Sequence, residues 1–146
     1  MKFFNSKNFK FDRKGKSLAI FPKEKYFTLS KKKIKQLKLL SQLNQNENVR
    51  ICLHSNKKDA LHNMIIFLNK KNFFKIHKHN STDEIYQIIS GRLKIKIFDK
   101  NKNLSKTIEL SNDKNPIFRM KKNVLHQTVP VTDYVIFHEC RLSPYR

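Results

Sequence analysis

From Arg50 onward the chain is a succession of short apolar or β-branched runs, and this rhythm limits the possible folds more than any other feature. The runs fall at 50–54, 63–68, 73–78, 84–90, 92–98, 105–110, 116–120, 124–131 and 133–139. Polar turns such as Asp99–Asn103 and Ser111–Asn115 separate them. Many short strands spaced about 8 to 12 residues apart predict an antiparallel sandwich or barrel. Gly91 stands between two runs, where a tight turn needs positive φ. The preceding segment reads differently. Ser30 can cap a helix whose Ile34, Leu37, Leu40 and Leu43 recur at helical spacing, so a helix is expected over about 30–43, ended by the polar stretch Asn44–Asn48. Ser17–Phe21 reads as a short edge strand stopped by Pro22, and residues 1–16 as a loose basic arm. With 146 residues and neither repeat nor linker, the expectation is a single mainly-β domain over 17–146, its barrel at about 49–140.

The longest apolar run, Met64–Leu68, is strand-sized, far short of the roughly 20 residues a spanning helix needs. The N-terminus lacks a sustained apolar region and a small-residue cleavage site, so a soluble cytoplasmic protein is expected. Cys52 and Cys140 form no disulfide framework and read as reduced thiols in or near the core. The net charge of +21 raises the question of a nucleic-acid surface. However, only six of the 32 basic residues are Arg, the residue suited to bidentate phosphate and base contacts. Abundant Lys, Asn, Ile and Phe share A/T-rich codons, so codon bias accounts for the charge more readily than nucleic-acid binding does. A basic field still favours an anionic small-molecule ligand.

Two of the six histidines stand at i and i+2, as His77-Lys78-His79. In a strand, that spacing turns both rings to one face, about 7 Å apart at the backbone. Glu84 follows across the polar turn Asn80–Asp83, and a hairpin would bring its carboxylate beside the pair. Imidazoles plus one carboxylate suit a single divalent ion (Zn, Mn, Fe, Co or Ni) and leave positions open for water or substrate. The competing reading is a solvent-exposed pair on a basic strand.

His77-x-His79-x4-Glu84-x6-Gly91 is similar to the first motif of the cupin superfamily with its spacing intact. The second motif, usually Pro-x-Gly-x-x-His, has its counterpart in Lys121-Lys-Asn123-Val-Leu-His126. There Asn123 replaces Gly, and Asn is the non-Gly residue that best tolerates the left-handed region. The resemblance therefore implies a double-stranded β-helix, or jelly-roll, barrel and adds His126 as fourth metal ligand.

Arg50-Ile-Cys-Leu-His54, Met64-Ile-Ile66, the His77 motif and the ending Tyr134–Glu139 with Ser143-Pro-Tyr145 resemble the WbuC family more closely, over about residues 25–146. These are single-domain cupin metalloproteins associated with O-antigen (lipopolysaccharide) and other surface-polysaccharide biosynthesis. The chain departs from them at Ile76, where the family carries Pro, and at Glu84-Ile-Tyr-Gln87, where it carries Glu-Ser-Phe-His.

Arg50, Cys52 and His54 alternate and share one strand face, toward solvent or toward a barrel interior; the resemblance favours the interior. Arg50 would then be the anion contact and His54 an acid or base. Tyr86 shares a face with Glu84, in core or pocket, as a second candidate proton shuttle. Arg119 and Gln87 complete the candidate substrate-binding residues. His138 and Glu139 point to opposite faces, so one of them turns inward, and His62 reads as surface.

The leading expectation is a metal-dependent enzyme acting on sugar or nucleotide-sugar precursors, with isomerase- or epimerase-type chemistry. The alternatives are a non-catalytic metal-dependent sugar-binding or regulatory module and, behind it, a charge-driven nucleic-acid binder. A homodimer joined through an edge strand, with Ser17–Phe21 as candidate, is also expected.

Overall fold

A computed structural model describes residues 4–15 and 17–143. The elements are β1 (Phe9–Asp12), β2 (Leu18–Pro22), α1 (Lys31–Leu43), β3 (Val49–Cys52), β4 (Leu61–Asn69), β5 (Glu84–Ser90), β6 (Arg92–Phe98), β7 (Leu104–Ser111), β8 (Ile117–Met120), β9 (Leu125–Pro130) and β10 (Tyr134–Leu142). They form a seven-stranded sheet, ordered β1-β2-β3-β4-β10-β5-β8, and a three-stranded sheet, ordered β7-β6-β9. This is the sandwich expected from the strand rhythm, consistent with the jelly-roll that the resemblance implies. Pairing is antiparallel throughout except between β2 and β3, the two strands that α1 connects, as a parallel pair requires. No helix among the described residues is long and apolar enough to cross a membrane.

The run Met64–Leu68 is apolar without alternation because the large sheet is buried on both faces. Met64, Ile66 and Leu68 face the smaller sheet, packing with Leu93, Ile95 and Leu110. Ile65 and Phe67 face the other way, against Leu37 and Leu40 of α1 and against Phe4 and Phe9. Each such aliphatic or aromatic side chain contributes about 1.5–3 kcal/mol on burial. The helix begins as expected: the Ser30 side chain accepts from the Lys33 N–H at 3.3 Å. It ends at Asn44, whose side-chain amide donates to the Leu40 carbonyl at 2.7 Å, and Gln45 and Asn46 then take φ of 54° and 61°. Leu43, expected on the buried stripe, is exposed.

Three expectations are corrected here. Residues 9–12, assigned to a loose arm, form β1 and pair antiparallel with β2. The strand at 18–22 is consequently not an edge, since β1 covers one side and β3 the other. Residues 73–78 are not a strand; after a 3₁₀ turn at Lys70–Asn72, capped by the Asn69 side chain, the segment meets β9 through the isolated bridge His77–His126 and through Gln127 Nε2, which donates to the Phe74 carbonyl at 3.1 Å. Pro144 and Tyr145 of the family-like ending, and Met1–Phe3 of the expected arm, lie outside the described residues.

Candidate metal centre

The irregular segment still presents its histidines as a strand would: His77 and His79 are half-buried while Lys78 is exposed. Two backbone bonds fasten His77 to the third histidine, His77 N–H to the His126 carbonyl at 2.9 Å and the reverse at 2.8 Å. Asn123 adopts φ of +66°, the left-handed conformation anticipated for the residue replacing Gly, and its N–H donates to the His79 carbonyl at 2.8 Å. The altered turn thus keeps its shape and ties both histidine-bearing segments together. One ring nitrogen from each of His77, His79 and His126 lies within 4.8 Å of the other two. A common ion about 2.1 Å from each nitrogen needs them no more than about 4 Å apart, so only a small closure is required.

Glu84 opens β5 and completes the group. Its Oε1 lies 3.0 Å from His79 Nε2 and its Oε2 3.5 Å from His126 Nε2. Hydrogen bonds to backbone carbonyls set two of the tautomers: His77 Nδ1 donates to Lys75 at 2.8 Å and His126 Nδ1 to Val124 at 3.0 Å. A carbonyl can only accept, so each Nδ1 carries a proton, and in the neutral ring each Nε2 then carries the lone pair. His126 Nε2 is buried and, among the described residues, has no hydrogen-bond partner. It faces the Glu84 carboxylate acceptor to acceptor. Such a contact is costly in a buried site unless a proton or a cation lies between. The donor set and this orphaned nitrogen fit a divalent ion held by His77, His79, His126 and Glu84.

Burial lowers the His126 pKa; the Val124 hydrogen bond opposes it. Burial raises the Glu84 pKa against the opposing effects of Tyr86 and Arg141. A bound cation would reverse both tendencies, favouring carboxylate and neutral imidazole. Tyr86 is buried and donates its hydroxyl proton to Glu84 Oε2 at 2.9 Å. Burial, with Glu139 and Glu84 nearby, pushes its pKa well above the usual range. Its single proton is committed to orienting Glu84, which suits positioning better than proton shuttling.

A cavity of about 1460 Å³ runs from this centre across the inner faces of β5, β10, β4 and β3. Arg50, Cys52 and His54 all line it, so the interior reading of their alternation holds. His54 stacks on His62 with ring centroids 4.2 Å apart, and its Nδ1 donates to the Asn63 carbonyl at 3.1 Å. Burial lowers its pKa. His62, expected at the surface, is 5% exposed and part of the cavity wall; its stacking partner His54 comes from the loop that follows β3.

Gln87 and Arg119 do not reach the cavity. Gln87 is exposed, between inward-facing Tyr86 and Ile88. Arg119 is exposed too, opposite outward-facing Ile85 in register, 3.5 Å from the Asp83 carboxylate. Of the pair His138 and Glu139, the glutamate faces inward, opposite Tyr86, with Arg141 Nε 3.0 Å from its Oε1. Burial, reinforced by Glu84 and opposed by Arg141, pushes the Glu139 pKa up to about 7. Glu139 was expected only as one of an undecided pair with His138, and Arg141 was not singled out by sequence. The alternation Phe137, Glu139, Arg141 carries the signal, but its direction depends on the pairing of β10 with β5.

A family model described as a domain of unknown function (DUF6016) matches residues 29–110. No curated protein matches the sequence. Among solved structures the chain is similar to a cupin superfamily protein from Desulfitobacterium hafniense, with TM-score 0.52 and 13% identity over 66% of this chain and 78% of that one. It is similar to KdgF from a Halomonas species, with TM-score 0.53 and 12% identity over 66% and 80% of the two chains. It is also similar to FeII HppE, with TM-score 0.53 and 16% identity over 66% of this chain and 51%, about half, of HppE. These likenesses show the fold, which is that of the cupins.

Proposed function

Because the chain belongs to the family described as a domain of unknown function (DUF6016) and folds as a cupin, we propose from its site that it is a metal-dependent enzyme acting on a small sugar-type ligand. The observation that carries this reading is the buried, unpartnered Nε2 of His126, set against Glu84 and within 4.8 Å of donor atoms from His77 and His79. When bound, a divalent ion would supply Lewis acidity to a ligand carbonyl or hydroxyl. The ligand set suits Zn, Mn, Fe, Co or Ni; the name FeII HppE adds some weight to iron. The chain's own residues do the rest. Tyr86 holds Glu84, while Arg50, His54 and Glu139 present charge and exchangeable protons to the cavity. The cavity beside the centre gives a ligand access to it, as the enzyme reading requires.

The resemblance of residues 25–146 to WbuC cupins supports a finer reading: nucleotide-linked or otherwise anionic precursors of surface polysaccharide, handled in the cytoplasm, with isomerisation or epimerisation as the reaction class. The net charge of +21 is consistent with an anionic ligand. The reading is tested by incubating metal-loaded protein with sugar phosphates and nucleotide sugars in deuterated water. Chelator-sensitive deuterium uptake at a ligand carbon, seen by proton NMR, is expected. Saturable binding of such ligands without exchange would instead favour the binding module.

A further inference from the structure

The wall of the cavity opposite the metal centre holds a cation, Arg50, that has no carboxylate within ion-pair distance among the described residues, although its charge favours the ionised form of Glu139. Four described arginines lie within ion-pair distance of a carboxylate: Arg13 with Glu47, Arg92 with Glu109, Arg119 with Asp83 and Arg141 with Glu139. Arg50 is the exception among the described residues, and its Nε is buried without a hydrogen-bond partner. The carboxylates that line the same cavity outside the metal centre each have another cation within ion-pair distance. Asp12 is 3.5 Å from Lys57, and Glu47 and Glu139 pair with Arg13 and Arg141. Cys52, beside Arg50 on the same face, stays a neutral thiol because burial pushes its pKa up to about 11. A partly buried guanidinium without an anion is costly, and its planar fork matches a carboxylate or phosphate.

The turn above Arg50 is shaped around it. A Cβ at Gly15 would lie 2.6 Å from Arg50 Nη2, so any larger residue there would displace the guanidinium. In the large sheet, Arg50 on β3 is separated from Glu84 on β5 by β4 and β10. Three inter-strand steps amount to roughly 14 Å of sheet. The inward-reaching Arg50 and Glu84 side chains shorten that backbone separation, and a ligand touching both ends must bridge what remains.

We propose that Arg50, beneath Gly15, is an anion subsite that receives the carboxylate or phosphate of a ligand whose other end reaches the His77–His79–His126 centre. The spanning of both ends rests on the metal-dependent reading above; the subsite itself does not. Its test therefore uses the full chain stripped of metal with a chelator. Inorganic phosphate and, separately, acetate are titrated while the arginine Nε–H resonances are followed by ¹H–¹⁵N NMR. A saturable shift of the Arg50 resonance is expected with at least one of the two anions, and the tighter one identifies the ligand group. Arg50→Gln should weaken binding at least tenfold, whereas Lys57→Gln should not. Gly15→Ala, which keeps the charge but moves the guanidinium, should also weaken binding, and it carries the test if Arg50→Gln fails to fold. Equal binding by wild type, Arg50→Gln and Gly15→Ala, or shifts that never saturate and spread over surface lysines, would overturn the proposal. Saturation at Arg50 in a protein that binds no metal would leave the subsite standing and remove the metal reading. Metal binding without an Arg50 response would do the reverse.

Discussion

Replacing Tyr86 by Phe removes one oxygen from the interior and little else. The ring keeps its contacts with Phe118 and Phe137, whose centroids lie 6.3 and 5.4 Å away. What is lost is the 2.9 Å hydrogen bond to Glu84 Oε2. A hydrogen bond to a charged group contributes about 1.5–3 kcal/mol. With an ion bound, Glu84 is ionised and that bond is at full strength. Without the ion, burial favours the protonated carboxyl, whose remaining lone pairs accept more weakly. The variant should therefore lose more in the loaded state than in the empty one. A difference of about 1.4 kcal/mol corresponds to a tenfold loss of affinity, within the 10–100-fold range typical when a ligand's hydrogen-bond partner is removed. Competition between the protein and a chelating dye for Co(II) or Zn(II), with circular dichroism to verify the fold, measures this directly. A folded Tyr86→Phe protein with unchanged affinity would refute the argument that Tyr86 holds Glu84 for the metal.

Two further outcomes follow from the same geometry. Gly91 has φ of +82°, and a Cβ there would meet the Tyr134 carbonyl oxygen at 2.6 Å and Thr132 Oγ1 at 2.7 Å. Gly91→Ala should cost at least about 1–2 kcal/mol and lower the denaturant midpoint; an unchanged midpoint would contradict the close approach. Burial raises the Glu139 pKa from an ordinary 4.5 to about 7, so the folded protein holds this proton where the unfolded chain has released it. The metal-free protein should thus lose stability as pH rises from about 4.5 to about 7, by up to about 3 kcal/mol from this group. Glu139→Gln should flatten that part of the melting-temperature profile, and an identical slope in both proteins would sink the assignment.

Much of this architecture was legible because local chemistry and tertiary packing agree. The Ser30 cap with Ile34, Leu37 and Leu40 specifies α1, and Gly91 marks the turn between β5 and β6. The three histidines of the candidate site were legible, His77 and His79 through spacing and His126 through the motif resemblance, and they lie together although the strand expected around His77 is absent. What sequence could not show depends on partners distant in the chain. In β1 only Phe9 and Phe11 alternate with Lys10 and Asp12, too short a pattern to read without β2 beside it. His62 is buried because His54 stacks on it from outside its strand. Arg119 faces outward because β8 pairs in register with Ile85, a choice fixed between strands and not within one. Gln87 is different: with Glu84 inward, parity alone places it on the opposite face.

The central claim is that three histidines and Glu84 hold one divalent ion. Metal analysis of purified wild-type protein beside a His77→Ala, His79→Ala double variant tests it most directly. Close to one bound ion per wild-type chain and almost none in a folded double variant are expected. Equal metal content in the two proteins would contradict it.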